Sequence, residues 1–200
     1  MKPALILSFG YDDGSLSILA DSSIQPPVAA RDIYSLPDID LNDFSALFLS
    51  MHSDQRFLAT RAAQIEDYLA RGGVVVASGH YAYPFLPRMT GFHTVQNYKL
   101  NDISIVRLVE HPIWAGLSEH DLTFRRGVAG FYGRVWHEAP QDALVIHALG
   151  QPDRPLDFIY PVGDGRVLFH GGNDLWTFGG VDQPLVPRLM RWIADGRNSQ

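Results

Sequence analysis

The sequence predicts a three-layer α/β sandwich on a mostly parallel sheet, with antiparallel additions in its second half. Three observations carry that prediction. The short apolar runs show no in-out alternation, as strands covered on both faces do. Two of those runs, 45–50 and 74–77, bracket a segment with helical spacing, and strand–helix–strand is the unit of a parallel sheet. The 200 residues, 46% hydrophobic and 19% charged, suffice for one domain with a sizeable core.

The elements follow in order. PALILSF (3–9) is an apolar run ended by Gly10, a first buried strand. Residues 28–36 form a second strand, with Asp32-Ile33-Tyr34-Ser35-Leu36 at its end, and SALFLS (45–50) a third. Ser53-Asp54 then cap a helix, the acidic Asp54 sitting at its positive end. Leu58, Ala62, Ile65 and Leu69 fall on one face of that helix, and Gly72-Gly73 stop it. The β-branched run 74–77 is the fourth strand. Residues 103–109 read as a strand, followed by HPIWAGL (111–117), where His111 starts a turn and Trp114 and Leu117 pack inward. Further strands are expected at 130–136, 143–149 and 156–161. Gly163-Asp164-Gly165 turn the last of these into a hairpin that runs back through Val167-Leu168-Phe169. An amphipathic helix over 185–194 closes a single domain, 1–195, and 196–200 is a frayed tail.

Bulk properties narrow the partners. A formal net charge of −6 with no Lys/Arg cluster argues against nucleic acid. No apolar run reaches membrane-spanning length. The first apolar run follows one basic residue and ends at Ser8, before Gly10 and two aspartates, so it reads as a strand rather than a signal peptide, and the expected location is cytoplasmic. The absence of cysteine excludes disulfides and thiol nucleophiles. The aromatic-rich second half offers a surface for a homodimer.

Ligands of open α/β sheets bind beyond the carboxyl ends of the strands. Those ends carry Gly10-Tyr11-Asp12-Asp13-Gly14-Ser15, Met51-His52-Ser53-Asp54, Ser78-Gly79-His80-Tyr81 and His170-Gly171-Gly172-Asn173-Asp174-Leu175-Trp176. His52, His80 and His170 are therefore expected to converge on one edge. His80, His170 and Asp174 are the candidate catalytic residues, with Asp174 orienting the His170 imidazole and raising its basicity. Asp12, His52, Ser78, Gly79, Tyr81, Gly171, Gly172, Asn173 and Trp176 are the candidate ligand contacts, the two glycines allowing close backbone approach.

The same residues admit other arrangements. Ser78 as a nucleophile with His170 as base competes with a purely structural turn, and Ala77 and His80 break the G-x-S-x-G pattern. His52, His80 and His170, with Asp12 or Asp174, offer divalent-metal ligands without any local ligand spacing, so no metal or other cofactor is predicted. Arg125, Arg126 and Arg134 flank GVAGFYG and are candidates for clamping a carboxylate or phosphate. His93, His111, His120, His137 and His147 have no evident catalytic setting.

Four segments resemble the class I glutamine amidotransferase-like superfamily, a flavodoxin-like fold. LFLSMHSD (47–54) is similar to its strand and oxyanion loop, and VVVASGH (74–80) to its nucleophile elbow. GRVLFHGGND (165–174) is similar to the late strand that delivers the histidine and acid, and HPIWAGL to a segment of ThuA-like members. The departures are specific. Ala77 stands at the nucleophile position, Gly171-Gly172 replace Pro-Glu, and Met51-His52 replace the glycine-rich oxyanion loop. The resemblance thus implies a cysteine-less, ThuA-like cousin with no thiol glutaminase activity. With the strand-end residues, the leading reading is a small polar ligand, a sugar or carboxylate, handled by acid/base chemistry of His80 and His170. A non-catalytic binding or assembly module and a metal-dependent hydrolase are the alternatives.

Overall fold

The computed structural model describes residues 2–9, 18, 24–178 and 185–195. The expected tail 196–200 lies outside them, as does the loop carrying Asp12. The chain forms β1 (Ala4–Ser8), β2 (Val28–Asp32), β3 (Ala46–Leu49), α1 (Gln55–Ala59), α2 (Ala62–Ala70), β4 (Val74–Ser78) and β5 (Phe92–Thr94). It continues with β6 (Ile105–Arg107), α3 (Glu119–Thr123), β7 (Val135–His137), β8 (Leu144–Leu149), β9 (Pro155–Val162), β10 (Gly165–His170) and α4 (Leu185–Ala194). Eight strands make one sheet in the order β2-β1-β3-β4-β10-β9-β8-β6. The run from β2 to β10 pairs in parallel, and β9, β8 and β6 add antiparallel pairs. This is the predicted sandwich, with its antiparallel additions in the second half.

The absence of alternation in the strands has a direct cause: both faces of the sheet are covered. Ile6, Phe48, Val76 and Leu168 point to one face, where Trp114, Trp176 and the α4 residues Leu185, Leu189, Met190 and Ile193 cover them. Leu7, Leu49, Val75, Ala77, Val167 and Phe169 point to the other, against Ile65, Tyr68 and Leu69 of α2 and Ile33 and Leu36. Asp54 caps α1 by accepting from the Phe57 N–H at 3.0 Å, as the sequence predicts. Among the described residues no helix is long and apolar enough to cross a membrane.

Three expected strands are shorter than their apolar runs. The second stops at Asp32, whose carboxylate accepts from the Tyr34 N–H at 2.8 Å and starts a 3-10 turn over Ile33–Asp38. The strand expected at 103–109 is cut to β6, because Ile103 closes a 3-10 turn and the Leu108 N–H bends to the Ile146 carbonyl. The strand expected at 130–136 is only β7, because Gly130 adopts φ +88° and turns the chain. β7 leaves the main sheet and pairs antiparallel with β5 in a separate two-stranded ribbon. That ribbon positions Phe131 and Arg134 at the carboxyl edge of the sheet, a placement the site depends on.

Leu168 lies fully buried at the centre of the sheet, opposite Val76 and Ile159. Leu168→Ala is expected to cost about 3 kcal/mol, from lost transfer energy plus a residual cavity. Leu144→Ala, at an exposed strand end, is expected to stay within about 0.5 kcal/mol of the parent. Urea titrations at constant slope check both values.

Candidate functional site

On the α4-covered face, the apolar rows turn polar where the strands end. Ser78 pairs in register with His170, His170 with Asp157, and Asp157 with His147. All four are buried, and Asp157 is fully so. One Asp157 oxygen lies 2.5 Å from His170 Nδ1, and the other lies 2.8 Å from His147 Nδ1. The Tyr132 hydroxyl donates to the second oxygen at 2.8 Å and accepts from Trp114 Nε1 at 2.7 Å. An ionised carboxylate only accepts, so both histidines present Nδ1–H to it. Arg107 Nε donates to His147 Nε2 at 3.3 Å.

Burial alone would push the Asp157 carboxyl up. The charge of His170 and hydrogen bonds from His147 and His170 outweigh it and hold the group ionised, well below the usual carboxylate range. Burial, then the adjacent carboxylate, drives the Tyr132 phenol well above its ordinary value. His170 Nε2 is buried and has no hydrogen-bond partner among the described residues. It lies against Gly172, where a Cβ would come within 2.7 Å of Nε2 and 1.7 Å of the Tyr132 carbonyl oxygen. Only glycine fits there.

The acid that orients His170 is thus Asp157, which corrects the expected pairing with Asp174. The antiparallel register of β9 on β10 sets Asp157 beside His170. Asp174 has by then turned toward β3, where it accepts from Ser50 Oγ and the Met51 N–H, both at 2.7 Å. A signal for Asp157 existed in the sequence: an acid inside the apolar run LDFIY, buried on both faces, must have partners. His147 in LVIHAL is its counterpart, and it carries a structural role that sequence reasoning missed.

The turn after β4 is built as predicted but used differently. Gly79 adopts φ +112°, and a Cβ there would meet Met51 Cβ at 2.6 Å. Its N–H donates to the His170 carbonyl at 2.9 Å, carrying the β4–β10 pairing past the strand end. Ser78 Oγ accepts from the Leu175 N–H at 3.2 Å and does not bond the His170 imidazole. His80 projects to the edge of a cavity of about 200 Å³ lined by Met51, His80, Gly130, Phe131, Arg134, Gly172 and Asn173. Burial, reinforced by the Arg134 charge, lowers the His80 pKa and favours the neutral ring. Arg134 Nε donates to the Gly130 carbonyl at 2.8 Å. Behind the turn, His137 Nε2 accepts from the Tyr81 N–H at 3.2 Å, and burial and neighbouring imidazoles push its pKa down to about 3.

No family model and no curated protein matches the chain by sequence. Its shape does match solved structures. A cytoplasmic protein of Salmonella typhimurium is 13% identical, with 98% of this chain and 99% of that one covered and a TM-score of 0.62. A ThuA-like protein of Parabacteroides merdae is 14% identical, with 100% and 93% covered and a TM-score of 0.53. The fold is similar to that of this ThuA-like protein. A β-galactosidase of Rahnella sp. R3 is 12% identical at a TM-score of 0.55, with 97% of this chain covering 31% of that enzyme. At these identities the likeness is one of fold.

Within this ThuA-like fold, the structure sorts the predicted residues. Ala77 is packed into the core on the α2 side. His80, Gly172 and Asn173 line the cavity together. Gly171 sits behind it, close to the Val135 carbonyl and His137. Tyr81 and Trp176 do not line it: Tyr81 packs on Phe85 and Phe169, and Trp176 meets Phe48 edge-on. His52 is exposed and donates its backbone N–H to Ser50 Oγ at 3.1 Å. His52, His80 and His170 therefore do not converge, and among the described residues no three His, Asp or Glu side chains are grouped to hold a metal ion. Met51, Gly130, Phe131 and Arg134 complete the wall. Of these, Arg134 stood in the sequence only as one of several candidate clamps.

Asp157→Asn removes an acceptor for two histidines and a tyrosine at a fully buried site, and is expected to cost about 3–5 kcal/mol at pH 7 by urea unfolding. Asp142→Asn, which breaks only the exposed Arg88 pair, is expected to leave the urea midpoint close to the parent's. Stability should also fall on mild acidification. His137 and His111, with pKa values of about 3 and about 4, are held neutral in the fold, whereas the unfolded chain protonates near 6.5. Their contribution is complete above pH 6.5 and is lost as the pH falls toward those values. For His137 alone the slope is about 1.4 kcal/mol per pH unit. Urea midpoints at pH 7, 6 and 5 should decline steadily; a flat series contradicts the assignment.

Proposed function

We propose that this protein binds a small polar molecule, a sugar or carboxylate, at the carboxyl edge of the sheet and processes it by histidine acid/base chemistry. One observation carries the reading: a cavity with His80 in its wall lies over a His170–Asp157 pair whose imidazole abuts a wall glycine. A histidine acting as general base must be neutral at working pH and within reach of the bound molecule. His80 meets both conditions, since burial and the Arg134 cation favour its uncharged ring and it lines the cavity. Asp157 fixes the orientation of the His170 ring through Nδ1, which sets Nε2 against Gly172. His80 makes the direct contact, and His170 backs the Gly172 wall. The route is proton transfer rather than covalent catalysis, because the elbow carries Ala77 and the neighbouring Ser78 hydroxyl is engaged by the Leu175 N–H.

A thermal-shift panel of neutral sugars, sugar acids and amino acids tests the reading. A true ligand at 100 times its Kd adds about 2.7 kcal/mol, a rise of roughly 5–10 °C for a chain of this size. His80→Gln should abolish that rise with little change in the unliganded melting temperature. If no compound raises the melting temperature, or if His80→Gln leaves the rise intact, the site has been misassigned.

A further inference from the structure

We infer that the cavity selects a carboxylate, carried by a hydroxy acid or sugar acid, and that the Arg134 guanidinium is its anion clamp. The inference rests on the reading of this cavity as the ligand site and names what the ligand must carry. The chain as a whole bears a formal charge of −6, yet the seven lining residues include one cation and no acid. The described residues place no carboxylate within ion-pair distance of Arg134. Its Nε–H is tied to the Gly130 carbonyl at 2.8 Å, which anchors the guanidinium and leaves its terminal N–H groups for a ligand. Gly130 is itself held in the left-handed region, at φ +88°, so the loop that presents that carbonyl has a defined shape. A planar guanidinium fork matches a carboxylate with two parallel N–H···O bonds.

The rest of the wall narrows the ligand further. A phosphate dianion is typically met by several cations or by a helix N-terminus. Here the cavity has one arginine, and β4 runs into irregular backbone rather than a helix. Burial and the nearby guanidinium keep His80 uncharged, so it adds a hydrogen-bonding group rather than a second positive charge. Asn173 adds another polar side chain, suited to hydroxyls, and Met51 and Phe131 offer apolar surface to a carbon skeleton. The volume of about 200 Å³ equals six or seven waters at about 30 Å³ each, room for a compact acid of three to six carbons.

Calorimetric titration of the full chain with D-glucuronate, D-gluconate, D-lactate, D-glucose and inorganic phosphate tests this at low salt. The His80 ring proton resonance is followed in parallel, to place binding in the cavity. At least one of the three acids should bind tenfold or more tightly than glucose and shift the His80 resonance. Arg134→Gln should remove that advantage, and Arg134→Lys should restore part of it. Arg134 is largely exposed, so both variants are expected to melt with the parent. If glucose binds as tightly as the acids, or Arg134→Gln leaves their affinity unchanged, the clamp is overturned while the cavity reading stands. Phosphate binding more tightly than every acid overturns the carboxylate assignment. If no probe moves the His80 resonance, both readings fall.

Discussion

A carboxylate with no exposure to water survives in a protein interior only where donors surround it, and Asp157 has three. Much of the second half of the chain is arranged to supply them. His170 comes from the last parallel strand, His147 from the neighbouring antiparallel strand, and Tyr132 from the loop before the ribbon. Trp114, from the turn opened by His111, backs the tyrosine. The network therefore joins the antiparallel additions to the parallel core at the edge where the cavity opens. It also dictates Gly172, since the Tyr132 carbonyl and the His170 ring leave no room for a Cβ there.

The elbow after β4 shows how a fold can keep a shape and reassign its parts. Gly79 still makes the sharp turn, but Ala77 belongs to the core, and Ser78 satisfies the backbone at Leu175. Asp174 ties the loop after β3 to the loop after β10 instead of serving a base. Small polar side chains that would be chemical in a covalent enzyme are here hydrogen-bonding partners that fix three loops relative to one another. The cavity at that edge is lined by His80, Arg134 and Asn173 together with Met51, Phe131 and the glycines at 130 and 172.

Much of this was legible from local sequence, and the reason is physical. Apolar runs reported the sheet because covered strands need both faces apolar. The Asp54 cap, the Gly163-Asp164-Gly165 turn, the closing helix at Leu185–Ala194 and the His111 turn depend on neighbours a few residues away. His80 and Gly172 lie where the rule that ligands bind beyond strand ends directs attention, and both line the cavity. The partner of His170 was misread because Asp174 is its neighbour in sequence, while Asp157 is its neighbour only across a ladder. His147 was passed over because register shifts in β8 flank it, and such irregularities can re-aim a side chain in ways that period-two reading cannot follow.

The sequence by itself determined the layers and the absence of a thiol nucleophile, since hydrophobic pattern and residue identity are properties of short segments. Only the tertiary structure decided which acid holds His170 and which side chains enclose the cavity. Strand register joins Asp157 to a histidine 13 positions away, and the β5–β7 ribbon sets Arg134 beside His80 across 54 positions of chain (134 minus 80). Contacts of that kind come from packing the whole sheet, and no window along the chain contains both partners.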